Sequence, residues 1–348
     1  MLLTIVSFLF VFTIIAVVHE FGHLYFSKRA GIRVHEFGLG FGPTLWQTTK
    51  NGTLYKINLL PILGYVKIAG IDTEDPAEKD TPEDEKYQNK PVLQKFLSIV
   101  AGAAMNIVLG FIIFSLVFMI NGIPSGISNE LATIAPGSEA ENIGLQVGDK
   151  LLAIDGVKYK SSEDAVKKIH ESAETKLTLT IERDKKEIKI KATPKLHKRM
   201  KVGLIGFSLK ALYEKVNPFK AIYYGAKETL GLMLTILALL GRLLVGKIAM
   251  GDLAGPVGIA QITGQYAQGG ALSLLSFIGF FSVNVAVINL LPIPALDGGR
   301  LVFVIIEAIR RKPVPIETEN KIHGIAMYAL LALLAVLTVN DLLRISLK

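Results

Sequence analysis

Four long runs without a charged side chain constrain this chain more than any other feature. Residues 1–18, 97–121 and 271–291 carry none, and 325–339 is uncharged and apolar between His323 and Asp341. A helix advances about 1.5 Å per residue, so about 20 apolar residues cross the hydrocarbon core of a bilayer. One such run could be a buried core helix. Four of this length and purity predict a polytopic α-helical membrane protein, with spans at about 1–27, 92–121, 271–291 and 323–344. The first run lacks a basic leader and a small-x-small cleavage site, and it continues directly into His19 and Glu20. It is read as a retained span rather than a signal peptide. The lipid bilayer is therefore the first expected partner.

Between the spans the composition changes. Residues 28–91 form a mixed, lysine- and arginine-bearing loop region. Within it 53–60 alternates like a strand, Pro61 ends that run, and 64–68 reads as a second strand. These two are expected to pair as a membrane-associated β-hairpin. Residues 122–198 are charged and strand-rich. Segments 177–182 and 187–191 alternate with period two around a turn at 184–186, and 162–171 is amphipathic and helical. This is one small α+β domain inserted between two membrane halves, 1–121 and 271–348. The region 199–270 contains an apolar stretch, 219–248, punctuated by Lys220, Lys227, Glu228, Arg242 and Lys247. Those charges suit an interfacial or re-entrant segment better than a span.

The net charge of +8 invites a nucleic-acid reading. The basic residues instead cluster beside the spans, as cytoplasmic loops do, and no nucleic-acid motif accompanies them. Lys28, Arg29 and Arg33 place the end of the first span at the cytosol, and the inserted domain outside. Arg300, Arg310, Arg311 and Lys312 place the end of the third span at the cytosol. With no cysteine in the chain, any zinc must be held by imidazole and carboxylate.

His19-Glu20-Phe21-Gly22-His23 reads H-E-x-x-H. On a helix, positions i and i+4 share a face, so both imidazoles can reach one ion while Glu20 takes a proton from water. Ionisable groups at membrane depth cost several kcal/mol, roughly, unless they are paired or functional. A catalytic zinc site keeps three protein ligands and an open position. Asp297, the only acid between Asp252 and Glu307, follows a tract broken by Pro292 and Pro294. Interrupted backbone is tolerated in a membrane where it lines a site. A helix cap is the alternative role for Asp297.

With these pieces in order, the chain resembles the site-2 protease family, in the bacterial branch that cleaves anti-sigma factors and remnant signal peptides. The matching pieces are 19–23, 40–43, Gly64-Tyr65-Val66-Lys67, Gly102-x-x-x-Asn106, Gly255-Pro256-Val257-Gly258 and 289–299. The resemblance implies a bacterial cytoplasmic-membrane zinc endopeptidase, with Zn2+ on His19, His23 and Asp297 and with Glu20 as general base. Single-pass membrane proteins would be its substrates. It also implies that Asn106, Asn289, Pro292 and Pro294 surround the substrate, one of the two asparagines being a candidate oxyanion donor. Ala103 stands where the family pattern has proline. Residues 135–140 with 144–156 resemble a protease-associated PDZ domain, which would grip an extended chain or screen bulky substrates. Gly38-Leu39-Gly40-Phe41 matches the eukaryotic PDZ loop but lies far upstream of that domain. The rival functions are a PDZ-bearing scaffold without catalysis and a transporter with an incidental H-E-x-x-H.

Overall fold

Helix α1 (Leu2–Arg29) runs through the first uncharged stretch and past both histidines without a break. Its last turn carries Lys28 and Arg29, which complement the partial negative charge of the helix end. This computed structural model describes residues 1–71, 76–197, 200–247 and 254–346.

Strands β1 (Val34–Lys50) and β2 (Thr53–Ile68) follow. They are joined by Asn51 and Gly52, both with positive φ, the turn that matches strand twist in a two-residue hairpin. The expected pairing of 53–60 with 64–68 is corrected here. Both segments belong to β2, Pro61 does not end it, and the partner is β1. The two long strands fold back on themselves, so that 36–39 pairs with 64–67 on one side and 54–57 on the other. The buried face of β1 is Val34, Glu36, Gly38 and Gly40, which has no apolar alternation to read. Gly38 is required there, because a Cβ would lie 2.2 Å from the Tyr65 ring. Burial opposes a charge on Glu36, but hydrogen bonds from Lys56 and from the Tyr65 hydroxyl hold its carboxyl below the ordinary range. Helix α2 (Val92–Asn121) comes next.

The chain then builds a second compact unit, Asn121–Val216. Its elements are β3 (Ile123–Ile134), α3 (Glu139–Asn142), β4 (Lys150–Ile154), α4 (Ser162–Glu171), β5 (Leu177–Arg183) and β6 (Lys186–Ala192), then β7 (Lys195–His197), β8 (Val202–Leu204) and β9 (Phe207–Glu214). Five strands form one sheet in the order β6-β5-β4-β3-β9, over a core containing Ile154, Ile169, Leu179 and Ile181. The unit reaches beyond residue 198 because β9 pairs with β3 from Ile123↔Glu214 to Ile134↔Phe207. The stretch 199–270 is thus divided, its first part completing the sheet.

The first unit resumes with α5 (Pro218–Leu244), α6 (Pro256–Gln268), α7 (Ala271–Asn289), α8 (Asp297–Arg310) and α9 (Ile316–Ser346). Asn217 caps α5 by accepting from the Lys220 N–H, and Pro218 opens its first turn. A stripe of small residues on α5 includes Gly225, where a Cβ would lie 2.2 Å from Ser115 Oγ of α2. Among the described residues, four helices are long and apolar enough to cross a membrane: α1, α2, α7 and Ile316–Leu343 of α9. They fall on the four uncharged runs, and α5 is not among them. Val11 and Ile15 pack with Ile113, Phe277 and Ile278, which ties α1, α2 and α7 together. Helix α8 lies between α7 and α9. Its buried residues Gly298, Leu301 and Val304 recur at helical spacing.

Candidate metal centre

His19 and His23 lie one turn apart on α1, with their Nε2 atoms 3.2 Å from each other. Asp297 is the first residue of α8, and its Oδ2 lies 3.1 Å from His19 Nε2 and 3.3 Å from His23 Nε2. The N-cap position of α8 is Leu296, one residue before it.

One stripe of α2 supports the pair. The Ser98 carbonyl lies 2.9 Å from His23 Nδ1 and accepts its proton, which leaves the Nε2 lone pair facing Asp297. Four residues on, Gly102 lies under both rings, where a Cβ would meet His23 Nε2 at 2.2 Å. Four further on, Asn106 is fully buried with its amide 3.4 Å from His19 Nδ1, and its Oδ1 has no partner. Exchanging amide oxygen and nitrogen lets Oδ1 accept from His19 Nδ1–H. His19 then also presents Nε2. Gly22 makes this approach of α1 to α2 possible, since a Cβ there would lie 2.3 Å from the Ala101 carbonyl oxygen.

Two imidazole lone pairs and a carboxylate oxygen therefore converge, within 4.8 Å of one another. Asp297 Oδ2 is buried and no hydrogen bond satisfies it, although both rings lie beside it. Lone pairs this close repel unless a cation lies between them. Tetrahedral zinc with bonds of about 2.0–2.1 Å separates its ligands by about 3.3 Å, so the donor set and spacing fit zinc. Glu20 directly follows His19 on α1. Beside it passes β2, where a Cβ on Gly64 would come within 3.1 Å of Glu20 Cγ.

The turn from 290 to 296 delivers Asp297. Ala295 takes a φ of +79°, and Gly298 and Gly299 leave no room for a side chain against Leu291 and Ile293 carbonyl oxygens, at 2.0 and 2.5 Å. Asn289 and Pro294 are half-buried and Pro292 is exposed. Asn106 is brought to the histidine pair instead. Ser98 carries no signal in the sequence because it acts through its backbone carbonyl. A separate cavity of about 330 Å3 on the Asn121–Val216 unit is lined by Val166 and Ile169 of α4 and by Ile205, Gly206 and Phe207. Leu204-Ile205-Gly206-Phe207 runs along its wall.

A buried pair of histidines one helical turn apart, a converging carboxylate and an adjacent glutamate define a candidate metallopeptidase centre within a bundle of apolar helices. The chain belongs to peptidase family M50, whose model matches residues 7–336. It is 32% identical to the regulator of sigma-W protease RasP of Bacillus subtilis, over 98% of this chain and 99% of that one. It is 31% identical to the zinc metalloprotease RasP of Bacillus licheniformis and 30% identical to the probable protease eep of Enterococcus faecalis, each over 98% of this chain and 99% of the relative. A PDZ domain of the SdrC-like protein from Listeria innocua aligns with 24% of this chain and 92% of its own length, at 19% identity and a TM-score of 0.22. The protein is a membrane zinc metalloprotease of the site-2 protease type.

Proposed function

We propose that His19, His23 and Asp297 hold one zinc ion, and that Glu20 serves as general base and acid in hydrolysing a peptide bond within or beside a transmembrane segment. The convergence of three ligand atoms from α1 and α8 carries this reading. Zinc bound there would polarise the scissile carbonyl and acidify a water molecule. Glu20 accepts that water's proton and returns it to the leaving amine. Asn106 and the Ser98 carbonyl orient the two imidazoles. A substrate helix must open before its carbonyl carbon can be attacked. Among the described residues, the 64–68 edge of β2 pairs on one side, with 34–39, and it passes Glu20, so it suits an extended chain added as a strand. Asn289, Pro292 and Pro294 line the approach on the Asp297 side. Purified protein is expected to carry about one zinc per chain, and Asp297→Ala to lose both metal and cleavage of a model transmembrane substrate. An Asp297→Ala chain that keeps its zinc would sink the assignment.

The far end of the hairpin supports membrane association. Phe41, Leu45, Trp46, Leu59, Leu60 and Leu63 are all exposed apolar residues there. The basic residues near the ends of α1 and α8 favour a cytoplasmic membrane with the zinc site toward the cytosol and the PDZ-type unit outside. The name of the Bacillus subtilis relative, regulator of sigma-W protease, favours anti-sigma-type single-pass substrates. For orientation, a cysteine replacing Ser162 is expected to react with an impermeant thiol reagent added to intact cells, and one replacing Lys312 is not. The reverse pattern would overturn the topology.

A further inference from the structure

Helix α9 supplies no ligand atom, yet it holds the Asp297 turn from both sides. Two residues before Asp297, the Ala295 N–H donates to His323 Nδ1 at 3.1 Å. This is the same Ala295 whose positive φ no glycine relieves. Three residues after Asp297, Arg300 Nη1 donates to Glu319 Oε1 at 2.8 Å, with the two side chains 19% and 8% exposed. Glu319 and His323 are one turn apart and so share a face of α9. Asn320, between them, donates to the Ile71 carbonyl at 2.8 Å and ties the same turn to the exit of β2. Beyond this turn α9 is mostly exposed, until Asp341 accepts from the Gly255 and Gly258 N–H groups at 3.2 and 2.7 Å. The helix is thus fastened by polar contacts at its two ends, and one of those ends grips the backbone that carries Asp297.

We infer that Glu319 and His323 are positioning residues, a two-point clamp from the fourth span that fixes the Asp297 carboxylate opposite His19 and His23. The inference rests on Asp297 being a zinc ligand. The turn has few restraints of its own. Ile293 N–H bonds to the Leu291 carbonyl at 2.6 Å, Leu296 N–H to the Ile293 carbonyl at 3.2 Å across Pro294 and Ala295, and Gly299 N–H to the Leu296 carbonyl at 3.0 Å, but none of these uses the Ala295 N–H that His323 accepts. Accepting at Nδ1 makes His323 a neutral ring with its proton on Nε2, which is buried without a partner. Its useful atom is therefore the acceptor, and asparagine places an oxygen at the same distance from Cβ.

The test is zinc loss from the full-length protein in detergent with excess chelator, with Asp297→Ala run alongside. Supporting partners of metal ligands are worth about 10–100-fold in affinity. His323→Leu, which keeps bulk but removes the acceptor, is expected to lose zinc at least about tenfold faster. His323→Asn, smaller but still an acceptor, is expected to stay within about threefold of the native chain. A packing role for His323 beside Phe303 predicts the opposite order, because leucine fills the space better. If His323→Leu loses zinc no faster than His323→Asn, the clamp is wrong. Should His323→Leu fail to fold, Glu319→Gln decides: about threefold faster loss supports the clamp and native retention overturns it. Zinc retained in Asp297→Ala would instead remove the ligand assignment on which the clamp rests.

Discussion

Glu20→Gln is expected to keep its zinc and lose cleavage of a transmembrane substrate by about 10²–10⁴-fold, the range for removing a positioned general base. Glutamine has nearly the same volume, so the close contact of residue 20 with Gly64 survives. The three converging ligand atoms come from other residues, so the ion has no reason to leave. What disappears is the carboxylate that takes the proton from water and returns it to the amine. Zinc analysis of the purified variant, with a gel assay of cleavage beside it, reads both halves. Cleavage within tenfold of the native rate would remove Glu20 from the proton transfer. A zinc-free variant would instead make residue 20 part of the metal's support. The scissile chain should remain bound to the intact but inactive site, which makes the same variant a trap for natural substrates.

The features legible in the sequence are those written in side chains at a regular period. The four apolar runs become α1, α2, α7 and α9 because uncharged length alone specifies a crossing helix. The H-E-x-x-H spacing becomes a facing pair because α1 continues through it. The strand β1 is illegible for the opposite reason. Its inner face is Glu36, Gly38 and Gly40, chosen to admit Tyr65 and Lys56 rather than to exclude water. The Asn51-Gly52 turn is visible in the sequence and points to the hairpin pairing that the structure adopts. Helix α8 is hidden behind the prolines that precede it. Glycine positions are harder still. Gly102 has a place in a motif, but only packing shows that its missing side chain is what lets α2 lie beneath two imidazoles.

Gly102→Ala is therefore expected to cost the enzyme its zinc, although on helix propensity alone alanine is favoured over glycine by about 1 kcal/mol. The new methyl would lie 2.2 Å from His23 Nε2 and 2.8 Å from His19 Cε1, so it strikes the ligand atoms rather than a yielding neighbour. Relief by separating α1 from α2 is blocked locally. The helices already touch backbone to backbone at Gly22 and Ala101. Moving α2 away would also stretch the Ser98–His23 and Asn106–His19 contacts, now 2.9 and 3.4 Å, that orient the two rings. Relief by rotating His23 turns Nε2 away from Asp297. Either response opens the ligand triangle, and a change of about 1 Å in a catalytic centre costs about 10²-fold in rate. Gly231→Ala on α5 is the matched control, because a Cβ there meets nothing within 4 Å. It should gain the same helix propensity and keep both metal and cleavage. Zinc content and cleavage measured on the two variants separate a steric demand at the metal centre from a general effect of alanine in a helix. A Gly102→Ala chain with a full equivalent of zinc would mean that the histidine pair holds the ion in some arrangement other than this triangle over Gly102.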